Sequence, residues 1–476
     1  MKKIIVLILV VLVAALAVFL FARQDKKGRP EVVVVGGGIA GLTASLDLVK
    51  HGVQVVLLEK ESRVGGRMES VNFDGVSCNL GTVWVNANFS SLADPYIKRH
   101  PQQELKVDTF VLDGKVIKLN SKDLLANLPF SEEAKKDLVA SIKKMNQDAA
   151  DLYPGIDINK QPNWDFVYDL NPNTALWKKL EKQSIREYLS QFHPEVAKIW
   201  GTRVSAGFGG NIDNISALFL VGWYRGNIFF PVYVVKGGND LLVEEMSKDF
   251  QKAGGKLILN AEVTEVSQSG KTVEVLCRNG QKYSSNYVIV TTPANVAKNI
   301  IKGLSPKKLQ ALAAVKYVPL TGIALQLKNM PSEADFTGVM FFNCGNSAAF
   351  MNESGPVNGY PKVGSVIAAA ITNPKNTNLS EQETLDKLYE DIKIINPKFD
   401  PKKDVLGYKI KQWPIGEVHV SPGFLSKYLE TLKEPLGNIY FGGEYASCFP
   451  TWGGAVWAGS KAANDILKAM GYSHLK

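Results

Sequence analysis

The chain has 476 residues, 45% of them hydrophobic and 21% charged, which is room for two or three domains and excludes a disordered or low-complexity protein. The formal net charge is +9, but Lys2, Lys3, Arg23, Lys26, Lys27 and Arg29 against Asp25 put +5 of it before Pro30. That excess flanks an apolar segment, which is the pattern of a membrane boundary and not of a nucleic-acid-binding face.

Residues 4–22 are apolar throughout and about as long as a bilayer-spanning helix requires. They read as an uncleaved N-terminal transmembrane helix. A cleaved signal peptide is the alternative, although Leu20 stands where such a cleavage site wants a small residue. The expected location is a membrane, through a single N-terminal pass, or outside the cell after cleavage. Basic residues on both sides leave the orientation open.

Beyond Glu31 an apolar run from Val32 to Val35 enters Gly36, Gly37 and Gly38 and then a helical pattern, so it reads as strand, tight turn and helix. Gly36, Gly38 and Gly41 have G-x-G-x-x-G spacing. The first permits a sharp turn, the second lets a pyrophosphate approach the backbone, and the third lets helix pack on strand. Ala40 lies in the first helical turn, where unpaired N–H groups and the helix dipole favour a phosphate. A second apolar run from Val53 to Leu58 ends at Glu59, an acid at the distance expected for holding a ribose, with Lys60 beside it. Gly65, Gly66 and Arg67 follow, and they suit a loop that closes over the dinucleotide with a guanidinium on its phosphates.

Residues 71–84 hold two short strand-like pieces around Asp74 and Gly75, then Gly81 and Thr82, where a missing side chain lets backbone approach a flat ring. Residues 109–118 predict a hairpin on Asp113 and Gly114. From about 122 to about 205 the pattern turns helical, with Ser131 as a cap, Ser184 and Glu187 as a capping box, and Trp164, Trp177 and Trp200 along it. It looks like an inserted helical domain. A second block opens near residue 229, where Gly237 and Gly238 precede a helix; residues 256–266, 272–276 and 287–292 read as strands, the last stopped by Pro293. A strand at 320–327 lies within a mixed stretch that runs to about 411. Residues 438–444 are a strand ending on Gly442, Gly443 and Glu444, and a helix begins on Gly453 and Gly454 with Ala455 next, a second N-terminus available to a cofactor. Cys78, Cys277, Cys344 and Cys448 are scattered without a C-x-x-C pair, which excludes a zinc or iron–sulfur site from that spacing and reads as buried reduced thiols.

These dinucleotide-binding pieces come in three separated blocks, and in this order the chain resembles the flavin-containing amine oxidase superfamily, which takes in protoporphyrinogen oxidases and carotenoid-type desaturases. The resemblance rests on Gly36, Gly38, Gly41, Glu59, Gly65, Gly66, Arg67, Gly237, Gly238, the strand through Val263, and Phe441 to Glu444 with Gly454 and Ala455. It implies an α/β fold. A Rossmann-like FAD-binding domain would be assembled from residues 31–95, 229–305 and 411–476, and an α+β substrate domain from 96–228, with the helical insert, and 306–410, behind an anchor and linker of residues 1–30. By the same resemblance Arg67 lies by the pyrophosphate, Val263 holds adenine through its backbone, and Glu444 sits near the ribityl and phosphate groups. Trp413 packs beside the isoalloxazine, with Phe449 and Trp452 where aromatic residues face the flavin.

Two departures shape the expected activity. Monoamine oxidases carry a flavin-linked cysteine just upstream of a Pro-Gly pair, whereas no cysteine precedes Pro422 and Gly423 closely, so the FAD is expected to be noncovalent. Many amine oxidases place a lysine, water-linked to flavin N5, on the strand that here spans 320–327; that strand has none, Lys328 lies past its end, and Lys316 before it reads as a solvated loop residue. The reading that follows is FAD-dependent removal of a hydride from a small, largely apolar substrate at a C–C or C–N bond, protoporphyrinogen-oxidase-like or desaturase-like, with oxygen or quinone as acceptor. Trp413, Phe449 and Trp452 would line its slot. The alternatives are a flavin amine oxidase acting on amines, a non-redox flavin isomerase or mutase, and an inactive membrane-tethered flavoprotein. His419 is the one histidine near these motifs and could move protons, although a flavin takes a hydride without a dedicated protein base.

Overall fold

The computed structural model describes residues 30–85, 90–105, 107–118, 125, 128–155, 165–168, 174–224, 232–328, 338–342, 345–347, 349–352, 365–371 and 378–472. The apolar segment 4–22, expected to span a membrane, lies outside these residues, as do Trp164 and Cys344. No helix among the described residues is long and apolar enough to cross a membrane.

The strand Val32–Val35 is the centre of a five-stranded parallel sheet whose order is Ile439–Phe441, Tyr287–Val290, Val32–Val35, Val55–Leu58 and Lys256–Ile258. Val33 and Val35 belong to one hydrophobic cluster while Val32 and Val34 belong to another. A strand buried on both faces needs an unbroken apolar run and no alternation, which is why four valines stand in a row. The helix Ile39–Lys50 leaves this strand and packs with the C-terminal helix Trp452–Ala469 through Leu42, Leu46, Val456 and Ile466.

Residues 256–266, expected as one strand, are two strands in two sheets. Lys256–Ile258 closes the parallel sheet, and Val263–Ser269 begins an antiparallel sheet with Thr272–Cys277 and Lys282–Ser285. The break falls at Asn260, whose φ of +55° turns the chain in a conformation asparagine tolerates. The Asn260 N–H donates to the Glu61 carbonyl and the Ala261 N–H to the Glu59 carbonyl, tying this corner to the loop after Val55–Leu58.

A second, seven-stranded sheet has the order Val405–His419, Lys316–Leu327, Ser365–Ile371, Ala349–Asn352, Gly338–Phe342, Thr109–Leu112 and Lys115–Lys118. The last two strands form the hairpin expected from Asp113 and Gly114, which take φ of +46° and +80°. One face of the sheet packs Ile323, Leu325, Phe341 and Ile367 with Leu388 and Ile392 of the helix Glu381–Ile395. Lys316 is not in a loop: it is exposed, but it begins the strand Lys316–Leu327, opposite His419.

The insert contains the helices Glu132–Leu152, Ala175–Lys182, Ile185–Leu189, Pro194–Phe208 and Ala217–Phe219. Ser131 accepts the Ala134 N–H, and Ser184 with Glu187 forms a complete capping box. A π-helical turn, Leu220–Tyr224, ends the last of these helices. Trp177 and Trp200 are buried in the insert's core.

Candidate functional site

A cavity of about 1020 Å³ lies where the C-terminal ends of the parallel strands meet the seven-stranded sheet and the insert. In open α/β sheets this is where ligands bind, because the loops that leave the strands expose their backbone there.

Glycine geometry builds the first part of the wall. Gly36 takes a φ of +107° and turns the chain out of the central strand. A Cβ on Gly41 would stand 1.9 Å from the Gly36 carbonyl oxygen, whereas one on Gly38 would meet no protein atom within 4 Å. The space over Gly38 therefore belongs to the cavity. No side chain caps the helix Ile39–Lys50 and no acid lies in its first turn, so its N-terminal N–H groups are left for an anionic ligand. Glu59, 7% exposed, accepts the Gly37 N–H at 2.6 Å and the Glu61 N–H at 2.8 Å, which fixes its carboxylate at the cavity edge. The loop that follows is laced by Arg63, which donates to the carbonyls of Val64, Gly66 and Met68 and pairs with Glu69.

Arg67 spans the cavity. Its guanidinium pairs with Glu444 and donates to the Gly416 carbonyl, joining three distant stretches of chain. One carboxylate oxygen of Glu444, Oε1, is buried without a hydrogen-bond partner among the described residues. A buried acceptor left unmade costs free energy, so a ligand hydroxyl or N–H is expected there. An open glycine turn, an uncapped helix, a fixed acid and an orphaned carboxylate oxygen on one wall fit a dinucleotide.

Further along the wall Trp413 donates its indole N–H to the Leu80 carbonyl at 2.8 Å, and the Lys411 ammonium lies 5.0 Å from the Trp413 ring centroid while pairing with Glu69 at 3.1 Å. The floor is the small-residue strand Ser365–Ile371, with Ala368, Ala369 and Ala370 on the wall beside Ala349 and Met351. Alanines there leave the volume that larger side chains would fill. The π-helical turn carries Trp223 to the wall. Thr321, 1% exposed, lines the cavity and its hydroxyl has no partner among the described residues. Glu417 also lines it; burial, opposed by the nearby Arg67, pushes its carboxyl up to about 8.

Of the residues singled out from sequence, Gly36, Gly38, Ala40, Glu59, Lys60 and Gly66 line the cavity, and so do Arg67, Gly81, Thr82, Val263, Glu444, Ala455, Trp413 and Trp452. Lys60 is exposed at the rim, 3.1 Å from Glu61. Four others stand behind the wall. Gly41 presses on Gly36, Gly443 precedes the short helical turn Glu444–Ala446, and a Cβ on Gly454 would lie 2.0 Å from the Phe449 carbonyl. Phe449 is fully buried, 5.4 Å from the Phe219 ring and 6.2 Å from that of Trp223, so it supports the wall without forming it. The helix at Gly453 and Gly454 begins at Trp452 and is capped by Thr451, which accepts the Gly454 N–H at 3.3 Å. His419 lies outside the lining.

Sequence reasoning missed Arg63, Arg203, Trp223, Thr321, Lys411, Glu417 and the alanine floor. The consecutive alanines were a visible signal of a small-residue strand; for Arg203, on an α-helix, and Trp223, on the π-helical turn, no residue pattern in the sequence marked the position.

Comparison with known proteins places these features in context. The family described as flavin containing amine oxidoreductase matches residues 39–467. A flavin-containing amine oxidase from Danio rerio is 24% identical, covering 93% of this chain and 87% of the relative; an L-amino acid oxidase from Bothrops pictus is 26% identical, covering 92% and 90%. Putrescine oxidase bound to putrescine superposes with a TM-score of 0.75 at 18% identity, over 92% of this chain and 99% of that one. Cyclohexylamine oxidase from Brevibacterium oxydans gives 0.71 at 16%, over 93% and 99%. The solved structures share the fold.

Proposed function

This chain belongs to the flavin containing amine oxidoreductase family, and from that premise we propose that it oxidises an amine at the carbon that carries the nitrogen. It is an FAD-dependent oxidoreductase. The expectation of an apolar donor gives way to the amine alternative, because the relatives are named for amines and amino acids. The strand at 320–327 without a lysine pointed away from amines; yet the neighbouring strand brings Lys411 onto the same wall, opposite Gly322.

The observation that carries the proposal is the continuity of one cavity from Gly38, Glu59 and Glu444 to a wall of Trp413, Trp452 and Trp223. FAD, bound noncovalently by the first set, supplies the two-electron acceptor. The chain's own residues hold it and keep water out. Arg67 fixes Glu444, Gly38 admits the pyrophosphate, and Trp413, pinned to Leu80, forms a rigid flank that excludes solvent from the reacting carbon. The substrate loses a hydride from carbon and a proton from nitrogen, and water then hydrolyses the imine to a carbonyl compound, releasing the nitrogen as ammonia or an amine. Oxygen is the proposed electron acceptor.

Anaerobic mixing of purified holoprotein with amines, amino acids, porphyrinogens and polyenes, followed through flavin absorbance, tests this. Amines or amino acids should bleach the flavin and the other two classes should leave it oxidised. Bleaching by porphyrinogens or polyenes alone would return the activity to the apolar reading.

A further inference from the structure

We propose that Glu417 contacts the flavin cofactor as a neutral carboxylic acid that donates a hydrogen bond to it, and that loss of this proton loosens FAD. The inference rests on the cavity's holding FAD and is independent of which donor is oxidised.

Glu417 ends an irregular stretch of strand. In the pairing of Val405–His419 with Lys316–Leu327, Val318 stands opposite Glu417 and Leu320 opposite Trp413, so the longer strand bulges between these pairs. A bulge re-aims side chains toward a site that a regular strand would not serve, and here Trp413, Pro414, Ile415, Gly416 and Glu417 all line the cavity. The bulge is fixed in place: a Cβ on Gly416 would lie 2.5 Å from the Val318 carbonyl oxygen, and the Gly416 carbonyl accepts a hydrogen bond from Arg67. Arg67 follows Gly66, where a Cβ would stand 3.6 Å from the Gly38 Cα. These contacts tie Glu417 to the cofactor end.

Among the described residues, the other acids on the cavity wall are matched. Glu59 accepts two backbone N–H groups, Glu61 pairs with Lys60, Glu262 with Arg278 and Glu444 with Arg67. Glu417 has no hydrogen bond or ion pair among the described residues, and the charge that acts on it is that of Arg67, which Glu444 already engages. The groups around it add no further cation to the site. Burial pushes the Tyr317 phenol on the facing strand up to about 12 and pushes Tyr445, beside Glu444, up as well. It pushes His419 down toward the neutral imidazole; Lys316, opposite His419, is exposed, and Lys411 is paired with Glu69.

A bound dinucleotide acts on this carboxyl in two ways, both in one direction. It displaces the water that an ionised carboxylate needs, and its pyrophosphate adds negative charge beside the cation that favours ionisation. The protein alone already pushes Glu417 up to about 8, and the ligand raises it further. A protonated carboxyl has an O–H to donate, and FAD offers phosphate oxygens, ribityl hydroxyls and ring carbonyls to accept it; an ionised carboxylate can only accept. Deprotonation and FAD binding therefore oppose each other, and the coupling is reciprocal.

Two measurements on FAD-loaded protein test this. In the first, holoprotein is brought to equilibrium by dialysis at a series of pH values and released FAD is read by fluorescence. The FAD Kd of the native protein should rise about tenfold between about pH 7 and about pH 9. Glu417→Gln, which keeps a neutral donor, should bind as tightly as the native protein at the lower pH and hold that affinity at the higher one. Glu417→Met should be equally flat and about fivefold weaker throughout, for the lost hydrogen bond. In the second, the visible spectrum of each holoprotein is followed over the same range with FAD in excess. The native flavin should shift with a midpoint at or above about 8, and neither variant should show that shift. If Glu417→Gln yields no holoprotein, Glu417→Met carries both measurements. A native Kd that does not change with pH, or a pH dependence that survives both substitutions, overturns the inference. PH-dependent FAD retention that requires Glu417, in a protein whose flavin no amine bleaches, would uphold it and remove the amine reading; flat retention with bleaching by amines would do the reverse.

Discussion

The two ends of the cavity are made in different ways. At the cofactor end the wall is backbone: a turn at Gly36, open space over Gly38, an uncapped helix and Glu59 held by two N–H groups, all within 24 residues of one another. At the donor end it is side chain, and Trp84, Arg203, Trp223, Thr321, Ala368 and Trp413 arrive from separate parts of the chain. A pyrophosphate is the same in every dinucleotide, so a short motif can cradle it; a donor differs between relatives, and its slot is set by residues that the fold gathers.

The difference can be broken most severely at Gly38. Leucine there should abolish FAD binding while the protein still melts cooperatively, because a Cβ at this position meets no protein atom within 4 Å and the side chain would enter the cavity proposed to hold the cofactor. Gel filtration with flavin absorbance and a circular-dichroism melt check both halves, and stoichiometric FAD in the variant would refute the cradle. Arg67→Met comes next. It leaves the Glu444 carboxylate, 8% exposed, without its cation, and since Arg67 itself keeps 30% exposure the loss of stability should be about 3 kcal/mol in urea unfolding.

Two changes at the donor end should spare FAD. Ala368→Leu fills the floor and should lower kcat/KM by an amount equivalent to about 1 to 3 kcal/mol, more for bulky amines than for small ones, with flavin content unchanged. Trp413→Ala should slow flavin reduction on the order of tenfold and weaken FAD retention less. The opposite ranking, measured by stopped flow and by dialysis, would make Trp413 a clamp on the cofactor.

The smallest effect is electrostatic and belongs to the strand that joins the two ends. Burial raises Glu417 from 4.5 to about 8, so between those pH values the folded chain keeps a proton that the unfolded chain has released. Its contribution to stability is therefore fully present below pH 4.5 and is lost as pH rises toward about 8. A single carboxyl binds at most one proton, so the slope cannot exceed about 1.4 kcal/mol per pH unit, and the partial exposure of Glu417 lowers it further. Thermal unfolding at fixed FAD should show this slope in the native protein and not in Glu417→Gln.

Legibility in the sequence followed the same division. The glycine triad, Glu59, the Asp113 hairpin and both insert caps depend on contacts a few residues apart, and each was readable because its geometry needs particular residue types at fixed spacing. Residues 256–266 misled because one apolar run serves two sheets, and only the corner at Asn260, tied to the Glu59 loop, separates them. The strand without a lysine pointed away from the amines for which the relatives are named, while Lys411, far along the chain, stands opposite Gly322 in the sheet.

What the sequence determined by itself was the class of cofactor, the turn at Gly36 and the buried acid at Glu59, since backbone turns and a helix N-terminus are local consequences of glycine and of an acid at strand distance. Tertiary structure alone decided which side chains face the donor. Arg203 meets Trp84, and Glu444 meets Arg67, only after two sheets and an inserted helical layer have packed, and no spacing along the chain records a contact made across that packing.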